Sequence, residues 1–169
     1  MNIVLTGMRG SGKSHYGKRL AKILEWEFID TDNLIKDREN KTITELVQEH
    51  GWKYFRDLER KIADEVGQLD EHIISTGGGM IIDTENETSL RKNGKVVFLY
   101  RTPENCAKYI ENGRNKDRPA LTENPQSLLE ELTEIWQTRE KRYRTSSDLI
   151  IDTNQELDPA QIVEMLQDL

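Results

Sequence analysis

Cysteine and long apolar runs are almost missing from this chain, and each absence excludes a class of protein. The single cysteine, Cys106, cannot form an internal disulfide or build a metal site from several thiolates. A lone thiol fits a reducing compartment, so we expect a cytoplasmic location. No apolar stretch approaches the roughly 20 residues that cross a bilayer, and the first residues lack the basic and apolar regions of a secretory signal. We therefore expect no membrane partner.

An excess of positive charge is missing as well. The 169 residues include 24 lysines and arginines against 31 aspartates and glutamates, a formal net charge of −7. Nucleic-acid phosphates repel an acidic chain, so we expect no nucleic acid as a partner. Hydrophobic residues make up 35% and charged residues 33% of the chain, as in ordinary globular proteins. The length predicts one domain over residues 1–169.

Short apolar runs alternate with segments of helical periodicity. In the helical segments apolar residues recur at i, i+4 and i+7, as Tyr16, Leu20 and Ile23 do. Apolar runs this short are typical of strands that are buried on both faces of a parallel sheet. The alternation predicts an α/β fold with a five-stranded parallel sheet flanked by helices on both faces. The predicted strands are Asn2–Leu5, Glu27–Ile29, His72–Ser75, Val96–Tyr100 and Leu149–Ile151.

One segment departs from this alternation. Residues 111–123, ENGRNKDRPALTE, are polar and of mixed charge, and they include Gly113 and Pro119. Long loops in compact domains often close over functional sites. We therefore predict that this segment is a mobile lid.

The stretch GMRGSGKSH, residues 7–15, follows the first predicted strand and precedes a predicted helix. Its spacing, Gly7-x-x-x-x-Gly12-Lys13-Ser14, is that of a phosphate-binding P-loop. Glycines let backbone N–H groups converge on an anion at a helix N-terminus. Lys13 would bring charge to the outer phosphates, and the Ser14 hydroxyl can ligate Mg²⁺. A glycine turn followed by an exposed lysine is the alternative, but the strand before and the helix after favour a nucleoside triphosphate site.

Two carboxylates end the second predicted strand, in the segment FIDTD. On an extended backbone Asp30 and Asp32 face the same way, at the edge of the sheet where ligands bind in such folds. One could hold a Mg²⁺-bound water, and the other could accept a hydroxyl proton. The structural alternative is that Asp32 is the N-cap of a helix over residues 33–38.

Three further patterns are weak on their own. Arg56 and Glu59 are three residues apart on a helix-like segment. They form either an exposed ion pair or a pair in which Glu59 orients Arg56 toward a ligand carboxylate. The glycines at 77–79 form either a flexible turn or a place where the backbone approaches a ligand closely. Arg139-x-x-x-Tyr143 by itself indicates an ordinary solvated helix face.

Taken together, these segments resemble shikimate kinase, in the nucleoside-monophosphate-kinase-like group of P-loop enzymes. The resemblance runs from about Asn2 to Leu169 in the family's order, and most P-loop kinases lack its FRxxE, GGG and RxxxY marks. It implies a three-layer P-loop kinase fold with a mobile lid, a shikimate-binding helical region over about residues 31–61, and transfer of phosphate from ATP to shikimate by a monomer. The segments that carry it are GMRGSGKS, FIDTD, FRDLE, ISTGGG, DRPAL, REKRY, and DTN with Pro159.

On the acceptor side, the resemblance implies a role for each residue that matches the family's motif. Asp32 would bind the shikimate hydroxyls and accept the proton of the reacting one. Arg56 and Arg139 would bind the shikimate carboxylate. Gly78 and Gly79 would offer backbone groups to the substrate.

On the donor side, the resemblance assigns Ser14 as a Mg²⁺ ligand and Asp30 as a carboxylate that places Mg²⁺ through water. Arg118, on the lid, would contact phosphate and stabilise the transferred group together with Lys13. The residues expected to bind ATP are Gly10, Ser11, Gly12, Lys13, Ser14, His15 and Arg118.

The nucleotide side departs from the family pattern at several positions. His15 stands where the family usually has threonine, and Glu111 stands where it often has an arginine against the adenine. Residues 154–159 contain no arginine, although the family has one there. We therefore predict a weaker or altered grip on the nucleotide.

Two rival functions stay open at this level. Another small-molecule kinase, gluconate kinase-like or a nucleoside-monophosphate kinase, would share the P-loop but not the combined FRxxE, GGG and RxxxY set. A catalytically silent shikimate-kinase-like domain would bind a ligand or a partner without turnover. His15 and Glu111 favour the silent domain, whereas the retained Lys13, Asp32 and Arg139 disfavour it.

Overall fold

A parallel sheet forms the centre of the molecule. The computed structural model describes residues 1–113, 127–167 and 169, and within them five strands pair in the order β2-β3-β1-β4-β5, all parallel. The predicted strands are confirmed in number, position and parallel sense, each end lying within two residues of the prediction. The strands are β1 (Asn2–Thr6), β2 (Glu27–Asp30), β3 (His72–Ser75), β4 (Gly94–Tyr100) and β5 (Leu149–Asp152).

Helices connect these strands, and several begin at residues that favour a helix start. Pro103 and Pro159 occupy first-turn positions, where their missing N–H is no loss. Thr42 and Glu45 form a reciprocal capping box at the start of α3. Gly51, at φ 82°, interrupts α3 with a kink. The helices are α1 (Lys13–Leu24), α2 (Thr31–Glu39), α3 (Ile43–Val66), α4 (Thr84–Arg91), α5 (Pro103–Asn112), α6 (Leu128–Thr145) and α7 (Pro159–Leu166), with one 3₁₀ turn at Met80–Ile82.

Each face of the sheet has its own hydrophobic core, because successive side chains of a strand point to opposite sides. Ile3 and Leu5 of β1 pack with residues of α1 and α7 on one face. Val4, between them, packs with residues of α2 to α6 on the other. The predicted three layers are therefore confirmed.

The predicted lid, residues 111–123, lies outside the described residues except for its first three. Glu111 and Asn112 belong to the last turn of α5. Arg118 also lies outside the described residues. Among the helices that are described, none is both long and apolar enough to cross a lipid bilayer.

Candidate active site

The loop between β1 and α1 has a shape that only its glycines allow. Gly10 and Gly12 have φ values of 84° and 96°, a left-handed conformation that residues with side chains rarely adopt. A Cβ on Gly10 would also lie 2.7 Å from the carbonyl oxygen of Cys106. Helix α1 begins directly after the loop, so the partial positive charge of the helix N-terminus lies beside the backbone N–H groups of the loop. This is the backbone geometry of an anion site.

Lys13 is folded against this loop. Its ammonium donates hydrogen bonds to the carbonyl oxygens of Gly7 at 2.9 Å and Met8 at 2.8 Å. The residue is only 9% exposed. The alternative of an exposed lysine after a plain turn is therefore wrong, and the lysine charge lies where a loop-bound phosphate would meet it.

Two distant segments brace the loop. The Arg101 guanidinium, just after β4, donates to the carbonyl oxygen of Gly10 at 3.0 Å, and the Thr153 hydroxyl, just after β5, donates to that of Ser11 at 3.0 Å. A planar trans peptide points its N–H opposite to its C=O. Fixing the Ser11 carbonyl therefore turns the Gly12 N–H toward the other side of the loop, as an anion cradle requires, whereas the Ser11 N–H donates to the Met8 carbonyl at 3.1 Å within the loop.

Three oxygen-bearing side chains meet beside the loop at the carboxyl edge of the sheet. The Ser14 hydroxyl donates to Asp30 Oδ2 at 2.6 Å, and the Ser75 hydroxyl donates to the same oxygen at 3.3 Å. The two hydroxyl oxygens are 3.4 Å apart. In nucleotide sites Mg²⁺ takes few protein oxygens and keeps several waters, so this donor set fits Mg²⁺. A denser cluster of histidine, cysteine and carboxylate side chains that could hold a metal is not found in the part of the chain that the structure describes.

The two carboxylates of FIDTD face different sites. β2 ends at Asp30 and α2 begins at Thr31, so the prediction of a shared extended segment is wrong. Asp30 Oδ1 accepts hydrogen bonds from the backbone N–H groups of Asp32 at 3.1 Å and Asn33 at 3.2 Å. Asp30 is therefore the N-cap of α2, and the alternative that gave this role to Asp32 is wrong. Asp32 is 4% exposed and lines a neighbouring pocket.

That pocket collects all five residues predicted for the acceptor side: Asp32, Arg56, Gly78, Gly79 and Arg139. Three guanidinium groups and two carboxylates share it with an apolar wall, so it suits a small anionic molecule with a carbon ring and hydroxyl groups. Its lining residues are Arg9, Asp32, Ile43, Trp52, Phe55, Arg56, Glu59, Gly77, Gly78, Gly79, Ile135, Arg139 and Tyr143.

Arg56 is held in the pocket by a buried carboxylate. Its guanidinium donates to Glu59, whose side chain is 1% exposed, so the alternative of an exposed surface pair is wrong. Burial raises the pKa of the Glu59 carboxyl, while the charges of Arg56 and Arg139 oppose that rise. The rings of Trp52 and Phe55 lie 5.4 and 5.6 Å from the Arg56 guanidinium carbon. The arginine therefore has few orientations available.

The glycine run lies tightly between the acceptor-side groups. A Cβ on Gly77 would lie 2.6 Å from Asp32 Oδ1, and one on Gly79 would lie 2.7 Å from an Arg56 nitrogen. Real Cβ contacts are never this short. The run is therefore a place of close approach, and the alternative of a loose turn is wrong.

Helix α6 contacts the same run from the other side. The Tyr143 hydroxyl donates to the carbonyl oxygen of Gly78 at 2.6 Å, and Arg139 donates to it at 3.3 Å. Tyr143 is fully buried, with its ring stacked on Phe98 at 5.2 Å between centroids. The interpretation of this helix face as ordinary and solvated is therefore wrong for Tyr143.

His15 extends from the first turn of α1 toward the segment after β5. Its Nε2 lies 3.9 Å from Glu156 Oε1, and 32% of its side chain is exposed. Burial lowers the pKa of His15, Arg19 and Arg101 lower it further, and Glu156 opposes them. The side chain therefore contributes no fixed positive charge at neutral pH.

Several residues of the site were not predicted from the sequence, among them Ser75, Arg9 and Trp52. Ser75 is the strand partner of Asp30, and that register is set by tertiary pairing. Arg9 lies within the P-loop, and its guanidinium reaches the acceptor pocket 3.8 Å from Glu131 Oε2 on α6. A signal existed for Trp52, because it precedes Arg56 by four residues and so shares its helix face.

Comparison with known proteins gives one family. Residues 9–169 match the family model of shikimate kinase. A shikimate kinase of Caldanaerobacter subterraneus subsp. tengcongensis is 40% identical over 154 residues, which cover 90% of this chain and 86% of the relative. The structure of shikimate kinase from Acinetobacter baumannii in complex with shikimate has a TM-score of 0.89 at 31% identity, covering 98% of this chain and 90% of that one.

A gluconokinase from Sinorhizobium meliloti 1021 is more distant, with a TM-score of 0.52 at 22% identity over 96% of this chain and 87% of that one. It shares the fold alone, so the comparisons favour the first interpretation over the gluconate kinase-like alternative. The family match covers the phosphate loop from Arg9 onward and the pocket beside it. The chain belongs to the shikimate kinase family.

Proposed function

We propose that this kinase transfers the γ-phosphoryl group of ATP to the 3-hydroxyl of shikimate. The observation that carries the proposal is the pocket in which Asp32, Arg56 and Arg139 meet the glycine run beside the P-loop. Shikimate has a carboxylate, a ring and hydroxyl groups. Guanidinium groups bind a carboxylate with directed, charge-assisted hydrogen bonds. A buried aspartate and backbone groups can bind the hydroxyls.

The donor side works by positioning and by neutralising charge, as phosphoryl transfer requires. The loop N–H groups and the N-terminus of α1 hold the phosphates, and Lys13 supplies a positive charge to them. Ser14, and Asp30 through water, would hold Mg²⁺, which would supply positive charge to the phosphates. Arg118 is proposed on the resemblance alone to contact the transferred group.

On the acceptor side, Arg56 and Arg139 fix the ring through its carboxylate. Asp32 then orients the 3-hydroxyl and takes its proton as the hydroxyl oxygen bonds to the γ-phosphorus. The bond from that phosphorus to the bridging oxygen breaks, and ADP leaves. One chain supplies both sides, so we propose that it acts as a single domain and as a monomer.

An ADP-release assay with shikimate, gluconate and nucleoside monophosphates as acceptors tests the proposal, with ³¹P NMR of the product. Turnover with shikimate alone is expected. Asp32→Asn should lower kcat by about a hundredfold or more and leave ATP binding unchanged. Asp37→Asn, an exposed carboxylate on the same helix, is the matched control.

Two outcomes would contradict the proposal. Turnover with gluconate or a nucleotide acceptor in place of shikimate would assign a different kinase activity. Binding of shikimate without turnover of any acceptor would indicate a catalytically silent domain.

A further inference from the structure

We propose that Tyr143 is a positioning residue for shikimate, because its hydroxyl fixes the peptide between Gly78 and Gly79 so that the Gly79 N–H can donate to a substrate oxygen. The inference rests on the proposed function of the pocket. It adds a residue that touches the glycine run and acts on the substrate through it.

The Gly78 carbonyl already has its full set of hydrogen bonds. Tyr143 donates to it at 2.6 Å, at the short end for O–H···O bonds, and Arg139 donates at 3.3 Å. A carbonyl oxygen has two lone pairs, and these two donors take both. The Gly78 carbonyl is therefore not available to accept a shikimate hydroxyl.

The other end of the same peptide is available. A trans peptide points the N–H of Gly79 opposite to the C=O of Gly78. The hydrogen bond from Tyr143 to that C=O therefore turns the Gly79 N–H away from α6. The neighbouring Met80 N–H donates to the Gly77 carbonyl at 3.1 Å, and the Gly79 carbonyl accepts from the Ile82 N–H at 3.2 Å. Within the described residues the Gly79 N–H donates to no protein atom. Gly79 lines the pocket, so we assign this N–H as a donor to the ligand.

Tyr143 is itself held firmly. It is fully buried, and its ring lies nearly parallel to Phe98, at 16° and 5.2 Å. The preceding residue, Arg142, is hydrogen-bonded to Glu87 of α4, to which Arg91 also donates at 3.0 Å. Burial raises the pKa of Tyr143, with Arg139 opposing that rise, so the hydroxyl keeps its proton and stays a donor.

Three consecutive glycines need such an anchor. Glycine has more backbone freedom than any other residue. Gly77 is held through its own N–H and carbonyl, but the peptide between Gly78 and Gly79 is held only through the Gly78 carbonyl, by Tyr143 and Arg139, within the described residues. A donor on a rigid helix removes that freedom before the substrate arrives, which is the usual basis of preorganisation. Tyr143 therefore acts on substrate affinity without touching the substrate.

The test is Tyr143→Phe, which keeps the buried ring and removes one oxygen. The Gly78 carbonyl would then retain only Arg139, and that arginine would be drawn toward it and away from the substrate carboxylate. We expect the KM and Kd for shikimate to rise about five- to tenfold, with the KM for ATP unchanged. The Gly79 amide signal of the wild-type protein should shift in ¹⁵N NMR when shikimate is added, and that shift should shrink in the variant.

Tyr16→Phe is the matched control. Tyr16 is also buried, at 1% exposure, but its hydroxyl accepts from the Leu157 N–H at 3.1 Å, on the other face of the sheet. It should leave the KM for shikimate unchanged, which separates the Tyr143 effect from the loss of any buried hydroxyl.

Three results would overturn the inference. Wild-type shikimate affinity in Tyr143→Phe, or an equal rise in both KM values, would make the hydroxyl merely structural. A Gly79 amide that stays unshifted while the wild-type protein binds shikimate would remove the proposed donor. A wild-type protein that does not bind shikimate would overturn the proposed function and this inference together.

Discussion

The substitution Gly79→Ala, which adds one methyl group, tests whether position 79 lacks a side chain because Arg56 occupies the space. The backbone there has φ −99° and ψ −10°, which alanine adopts without strain. The unfolded chain loses conformational freedom in Gly79→Ala, so the backbone change alone should not lower the free energy of unfolding. The new Cβ, however, would lie 2.7 and 2.9 Å from the two terminal nitrogens of Arg56.

The expected effect follows from that overlap. Ordinary heavy-atom contacts begin near 3.5 Å, so the guanidinium has to withdraw by about 0.8 Å. Glu59 cannot follow, because it is 1% exposed and enclosed on all sides. A hydrogen bond to a charged group contributes about 1.5–3 kcal/mol. If the displaced Arg56 loses roughly half of its hydrogen-bond energy to the shikimate carboxylate, the KM for shikimate should rise about three- to tenfold.

Steady-state kinetics with each substrate varied, beside a thermal melt, measure this. Gly78→Ala is the matched variant in the same run, because its Cβ would find its nearest atom, the Gly7 carbonyl oxygen, at an ordinary 3.4 Å. Its effect on the KM for shikimate should be clearly smaller. An equal or larger effect of Gly78→Ala, or a Gly79→Ala enzyme with wild-type affinity, would refute the steric argument.

Three further predictions concern single side chains. Because burial raises the pKa of Glu59, its protonation on acidification should begin above the usual glutamate range and release Arg56, so kcat/KM for shikimate should show an acid limb. Glu59→Gln should lack that limb, and an identical limb in the variant would assign it to another group. Burial raises the pKa of the Cys106 thiol to about 11, so a thiol reagent at pH 8 should label the native protein far more slowly than the protein in concentrated urea; comparable rates would mean that the thiol is accessible. His15→Thr should tighten ATP binding by calorimetry by restoring a hydroxyl beside the inner phosphates, and an unchanged Kd would show that this hydroxyl makes no contact here.

The fold was predictable because each strand is a short apolar run with turn residues at both ends. Val96–Tyr100 and Leu149–Ile151 predict strands at the correct places because each is a short, continuous apolar run. The ends of helices were harder to predict from the sequence. The α2 start at Thr31 depends on Asp30 turning its carboxylate onto the N–H groups that follow, and FIDTD is compatible with both an extended and a capped backbone.

The site was predictable where a motif occupies contiguous residues, and less so where it depends on register. The P-loop, Arg56 with Glu59, and the glycine run are each local in sequence. Ser75 meets Asp30 only because β2 and β3 pair at that register, and Arg9 reaches the acceptor pocket only because the P-loop lies against α6. Neither contact leaves a periodic trace in the chain.

The bracing of the P-loop has a consequence for biosynthesis. The loop motif is synthesised well before Arg101 and Thr153, which hold its carbonyls from far along the chain. Its strand, β1, also waits for β3 and β4 as neighbours. A nascent or prematurely terminated chain that ends before Thr153 therefore carries the complete motif without the finished cradle. We therefore expect chains that end before Thr153 to bind ATP more weakly than chains that include it.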